Sequence, residues 1–132
     1  MRVRDAMFNQ HRTQRGQSLV ELALVLPLLS VLLMGVVDLG RGVSTYIVLS
    51  HSAREGAYWL STHPYDVNGA VARVEEEMAL GGVDPAMATV TVNAADSGGI
   101  CEVQIDYNYT LLFGLFPQGA FNLRVEAFME VI

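Results

Sequence analysis

The chain has 132 residues, room for one small domain and little more. Fourteen acidic side chains stand against eight basic ones, all arginine, for a net charge of −6, which argues against nucleic acid or anionic lipid as partners held by bulk charge. The single cysteine, Cys101, excludes an intrachain disulfide and, within a strand-like pattern, reads as a buried structural thiol.

Charge is divided sharply along the chain. Residues 1–16 hold Arg2, Arg4, Arg12 and Arg15 against Asp5, a net of +3, and everything after Gly16 carries a net of −9. A short basic end abutting an apolar run is a topology signal, with the basic side retained in the cytoplasm.

The apolar run follows at once. From Gln17 to Val37 the only charge is Glu21. As a helix these residues span about 31 Å, matching a hydrocarbon core of about 30 Å. A cleavable secretory signal competes with this reading, but the run is long for such a segment. Gly35-Val36-Val37 and Gly40-Arg41-Gly42 also make poor small-x-small cleavage sites. The sequence therefore predicts a retained single-pass anchor with the following residues outside.

Two residues stand out within it. A charge at mid-bilayer costs roughly 3 kcal/mol, less near the interface. Glu21 is thus either a snorkelling boundary residue or a carboxylate awaiting a cationic partner. Pro27 removes the backbone donor to Ala23 and is expected to kink or locally open the helix.

Helical signals continue past the span. Asp38 and Arg41 can pair three residues apart. Val43, Ile47, Ala53, Ala57 and Leu60 form a loose apolar stripe up to Ser61, with Pro64 as the stop. Asn68 is placed to cap a second helix from Gly69 to Leu80, ended by Gly81-Gly82, with Val71, Val74 and Met78 on its buried side. The run Glu75-Glu76-Glu77 reads as a solvated face; the alternative, an acidic metal site, is poorly supported because contiguous helical residues point in different directions.

The remainder alternates with period two. Val90 and Val92 oppose Thr89, Thr91 and Asn93. Cys101, Val103, Ile105, Tyr107 and Tyr109 oppose Glu102, Gln104, Asp106 and Asn108. Phe121, Leu123, Val125, Ala127 and Met129 oppose Asn122, Arg124, Glu126 and Glu130. Asp96-Ser97-Gly98-Gly99 is a hairpin loop, and Leu111–Gly119 is a loop leading to the third strand. The fold class expected is α+β. A long N-terminal transmembrane helix continues outside the membrane, followed by a short second helix and an antiparallel sheet of about three strands packed on a helix. The chain divides into a basic leader (1–16), a helix (17–62, spanning the membrane at 17–37) and an outer α/β head (63–132).

No catalytic pattern emerges. His11, His51 and His63 share no metal-ligand spacing, and no nucleophile elbow, phosphate loop, zinc cysteine pair or dinucleotide glycine turn is present. The expectation is a protein that is not an enzyme and takes no cofactor, metal, nucleic acid or small-molecule substrate.

The run Gly16-Gln17-Ser18-Leu19-Val20-Glu21, followed by Leu22-Ala23-Leu24-Val25-Leu26-Pro27, resembles the N-terminus of the TadE-like family, pilin-like proteins of the tight-adherence (Flp) branch of type IV pilus systems. The resemblance continues through Asp38-Leu39-Gly40-Arg41 and Ala53-Arg54-Glu55-Gly56-Ala57 and covers residues 14–60, with the sheet matched only in outline. It implies cleavage after Gly16 by a membrane prepilin peptidase, which removes the leader and frees the α-amine of Gln17. It further implies that Glu21 pairs with the Gln17 amine of a neighbouring subunit, and that Gly16, Gln17, Glu21 and Pro27 are the processing and assembly residues. The residue after the glutamate is Leu22, where the family more often has an aromatic. The implied function is a minor pilin-like (pseudopilin) subunit acting in assembly of a tight-adherence (Flp/type IVb) pilus or related secretion machine. Its partners would be other pilin-like subunits, the assembly machinery and the peptidase, with the helix in the inner membrane and the head periplasmic or extracellular. The alternative is an unprocessed single-pass protein whose head binds a partner or ligand; a third class is a membrane-tethered enzyme.

Overall fold

The computed structural model describes residues 4–114 and 120–132, with side chains described from residue 16 onward. Helix α1 covers Arg4–Thr62 and α2 covers Val67–Leu80, followed by a single 3₁₀ turn at Pro85–Met87. Strands β1 (Ala88–Asn93), β2 (Ile100–Thr110) and β3 (Ala120–Glu130) form one antiparallel sheet in the order β1-β2-β3. The α+β class expected from the sequence is the one observed.

Two compact units divide the chain, Met1–Val37 and Asp38–Ile132. The described residues of the first are all helical. Its backbone is already helical at Arg4, upstream of the expected start at Gln17, since residues 4–15 contain neither proline nor glycine to break it. Helical geometry also runs unbroken through Pro27. The apolar side chains of this unit are uncovered: Leu19, Leu24, Leu28 and Val36 are each at least 60% exposed.

In the second unit the last part of α1 becomes a core element. Leu49, Ala53, Ala57 and Leu60 are fully or almost fully buried, at spacings of three and four that place them on one face. Val43 and Ile47, expected on that stripe, are instead 52% and 62% exposed. At about 100° per residue, Ile47 lies roughly 120° around the helix from Ala53, so apolar identity without phase misplaced it. From α2 the buried residues are Ala70, Val74 and Met78. Val71, expected inside, is only half-buried, because Ala70 shares the phase of Val74.

Gly56 explains how closely these layers approach. A Cβ built on it would lie 2.5 Å from Val74 Cγ2 and 3.5 Å from Val103 Cγ1, so α1 passes between α2 and the middle strand where only glycine fits. The sheet contributes Cys101, Val103, Ile105, Val125 and Ala127 to the same core. Register pairs Val90 with Ile105 and Ile105 with Val125, so one face of all three strands is apolar, as the alternation predicts. The Cys101 thiol is buried and donates to Met129 O at 3.1 Å.

The start of α2 differs from expectation. Its cap is Asp66, whose Oδ1 accepts the Gly69 amide at 3.0 Å, so the helix begins at Val67 and Asn68 lies inside it. The sheet is closed at its other end by the C-terminal residues. Val131 exchanges backbone hydrogen bonds with Gly98 and Gly99 in the β1–β2 turn, and the Ile132 amide donates to Ser61 O at 3.0 Å. Residues 115–119 of the expected Leu111–Gly119 loop lie outside the described residues.

Candidate functional site

Four residues of the first unit were singled out from the sequence. Gly16, Gln17, Glu21 and Pro27 all lie on α1. A Cβ at Gly16 would meet nothing within 4 Å, so no packing requires a glycine there. That residue lowers helix propensity by about 1 kcal/mol relative to alanine and is the weakest helical position at the head of the apolar run. One turn on, Gln17 Nε2 donates to Glu21 Oε1 at 3.3 Å, so structure brings these two side chains together on one exposed face. Pro27 lies six residues further along. Near it, the Ser30 hydroxyl donates back to Leu26 O at 2.9 Å, a bond that keeps a polar side chain satisfied within an apolar segment.

The stretch Gly16–Thr62 is long and apolar enough to cross a membrane, and its most apolar part has no cover from the rest of the protein. In water such a surface would be a large unburied hydrophobic patch. In hydrocarbon it needs none, because a helix pairs its own backbone groups, the Ala23 carbonyl opposite Pro27 being the exception.

Directly after the uncharged run 22–37 stands a residue whose role the sequence reading missed. Asp38 is the first charge after Glu21, and it is 5% exposed. Its Oδ1 accepts the Leu112 amide at 2.9 Å and its Oδ2 accepts the Phe113 amide at 3.2 Å. Its backbone carbonyl accepts the Tyr109 hydroxyl at 3.1 Å. The expected partner, Arg41, is only 3.8 Å from Oδ1 and 48% exposed. The amides carry most of the compensation for burying this carboxylate. One helical turn on, a Cβ built on Gly42 would meet the Tyr109 ring at 3.8 Å, an ordinary contact, so the end of β2 lies alongside α1 here. The signal available in advance was a lone aspartate at the end of an apolar run; the amides that donate to it lie more than 70 residues away in sequence.

A second cluster organises the turn between the helices. Trp59 Nε1 donates to Asp66 Oδ2 at 2.9 Å, the ring stacks on His63 at 4.2 Å, and the Arg73 guanidinium lies 5.8 Å from the indole. The Trp59 and Gly69 hydrogen bonds, in that order, hold the Asp66 carboxyl below its ordinary range. On the exposed sheet face Arg124 pairs with Asp106 at 2.7 Å, and this bond, followed by one from Gln104, lowers the Asp106 pKa. His51 approaches Glu77 at 3.7 Å on the surface. Among the described residues no three His, Cys, Asp or Glu side chains converge to hold a metal ion.

A surface depression of about 360 Å³, open to solvent, is lined by Tyr46, Ser50, Arg54, Arg124, Val125 and Glu126. It lacks the enclosure by which small-molecule sites bury most of a ligand's surface.

Comparison with known proteins adds one finding on residues 16–57, which match the family model described as TadE-like protein. The match begins at the glycine and ends within the buried part of α1. No curated protein and no solved structure matches the chain.

Proposed function

From the TadE-like identity of residues 16–57, which associates the chain with a Tad pilus as a minor pilin-like protein, we propose that it is a pseudopilin made as a precursor and cut after Gly16. The single observation that carries this reading is the family match starting at Gly16, at the head of an uncovered apolar helix that bears one carboxylate. Arg12 and Arg15 would keep the scissile bond on the cytoplasmic side, and the helix would hold the protein in the inner membrane with the head outside. Glu21 then supplies an acceptor for the new Gln17 amine of an adjacent subunit. In a medium of low dielectric an unpaired carboxylate is costly, so that pairing selects register during assembly. Pro27 belongs to the same packed region, and no catalytic step is assigned to the head.

The test is the intact mass and N-terminal sequence of the protein taken from membranes, with and without prepilin peptidase. A chain starting at Gln17 only when the peptidase is present is the expected result. A chain retaining residues 1–16 in both conditions would overturn the processing and favour the plain anchor with a binding head.

A further inference from the structure

The head carries a second apolar feature that neither its core nor the pairing of Glu21 uses. Between Asp106 and Arg124 no charged residue occurs, the longest such interval after Asp38. At its described part, the end of β2 and the residues beyond, Leu112 is 59% exposed and Phe113 42% exposed. Phe121, the register partner of Tyr109 at the same end of the sheet, is 49% exposed. Three large apolar side chains are thus exposed at this end of the sheet.

Their position is fixed by Asp38. The Leu112 and Phe113 amides both bond to its carboxylate, and Asp38 directly follows Val37, the last residue of the uncharged run. These amides therefore lie within hydrogen-bond distance of the residue at which the chain leaves the hydrocarbon. Leu39, the next residue of α1, is itself 70% exposed. The nearest strand charges, Asp106 and Arg124, neutralise each other as a cross-strand pair, so no unpaired charge on the strands opposes contact with lipid. The Asp38 carboxylate is buried under the two amides, and the exposed charge left at this end is Arg41, which lies 3.8 Å from it and has a long stem that lets its guanidinium reach the headgroup level.

We propose that Leu112 and Phe113 insert into the outer leaflet at the bilayer face where the chain emerges, giving the head a second, lipid-embedded contact. The partner is the acyl region of the membrane itself, and the proposal rests on the reading of residues 17–37 as a membrane span. Such a contact would hold the head against the membrane before assembly and would have to be withdrawn when the subunit leaves the bilayer.

The experiment is site-directed spin labelling of the full chain in vesicles of phosphatidylcholine and phosphatidylglycerol. Labels are placed singly at Leu29→Cys, Leu112→Cys, Phe113→Cys and Ala72→Cys. Cys101 is buried and stays in place, with the unsubstituted chain as blank. Collision with oxygen is compared with collision with a water-soluble nickel chelate. Expected is a bilayer signature, oxygen above nickel, at positions 29, 112 and 113, and an aqueous one at 72. An aqueous signature at 112 and 113 with a bilayer signature at 29 would overturn the inference while leaving the span intact. An aqueous signature at 29 would overturn both. Protection of 112 and 113 from both reagents would mean contact with a second copy and would also overturn it. Should a cysteine at either position unsettle the fold, quenching of Phe113→Trp by brominated lipid, read against the native Trp59 signal, gives the same decision.

Discussion

Asp38 Oδ1 lies 2.9 Å from the Leu112 amide nitrogen, joining the point where α1 leaves its apolar stretch to the far end of β2. With Phe113 on Oδ2, one carboxylate takes up two amides that no strand partner reaches. The head is thereby closed at the end that faces the start of its own helix segment, and the loop beyond β2 acquires a fixed origin.

Removing that carboxylate should be felt as a stability loss. A partly buried amide deprived of its acceptor costs about 1–3 kcal/mol, and Asp38→Ala strands two of them while leaving the Tyr109 bond to the Asp38 backbone carbonyl in place. Asp38→Asn keeps one acceptor oxygen and turns a donor toward the other amide, so it should recover only part of the loss. The readout is denaturant unfolding in mild detergent, followed by the fluorescence of Trp59, the only tryptophan. Equal midpoints for wild type and Asp38→Ala would refute the clamp.

Gly56 is the narrowest point of the core, and its substitution tests the packing directly. Gly56→Ala gains about 1 kcal/mol of helix propensity. It also places a methyl 2.5 Å from Val74 Cγ2, a β-branched side chain with little rotameric freedom. Overpacking of this kind costs about 1–3 kcal/mol, so the net effect should be destabilising. In a Val74→Ala background the same substitution should turn neutral or favourable. A double-mutant cycle giving a coupling of about 1 kcal/mol or more is the expected outcome, and additivity would be the contrary one.

Acid should loosen the turn between the helices before it unfolds the core. The folded pKa of Asp66 is depressed, chiefly by the Trp59 indole N–H and then by the Gly69 amide. Its stabilisation is therefore complete above the unfolded carboxylate value of about 3.9 and is lost as pH falls through the lower folded value. Asp106 behaves with the same sign through Arg124. Because both are surface groups the effect is modest and screened by salt. Trp59 fluorescence titrated from pH 6 to 2 should show a transition that Asp66→Asn removes. A titration curve unchanged by Asp66→Asn would refute the assignment.

What the sequence disclosed and what it hid follow from the range of the interactions involved. Strands β1 to β3 were legible because a period of two over a one-sided sheet leaves a direct trace at Cys101, Val103 and Ile105. The uncovered helix was legible because sixteen uncharged residues, 22 to 37, have few other uses. Phase was harder: Val43 and Ile47 are as apolar as Leu49, and only the partner layers decide which face is turned inward. Asp66 hid behind Asn68 because both can cap a helix, and the choice was made by Trp59, seven residues upstream. The Asp38 clamp was illegible, since its partners are backbone amides that leave no mark on side-chain identity.

The same limit applies to Glu21, whose partner in an assembly would be the amine of another chain. Within one chain Glu21 already accepts from the Gln17 side chain at 3.3 Å, so the two positions share a face of α1. Cleavage after Gly16 would add a positive charge at residue 17 without moving it. A cationic amine then competes with the neutral amide for the same carboxylate, and charge-assisted bonds are about twice as strong. If the amine comes from a neighbouring subunit, Glu21→Ala should leave membrane insertion and cleavage unchanged but strand that amine in hydrocarbon. Breaking a buried pair costs about 3–5 kcal/mol, a hundredfold or more in an assembly equilibrium. Glu21→Asp, one methylene shorter, should retain part of the activity, and Glu21→Gln should behave nearly as alanine does because the charge is what the amine requires. The measurement is the fraction of processed subunit recovered in sheared filaments or in the cross-linked assembly complex. If Glu21→Ala is cleaved and assembles at the wild-type level, the carboxylate is only a boundary residue snorkelling to the interface, and register must be set by the head.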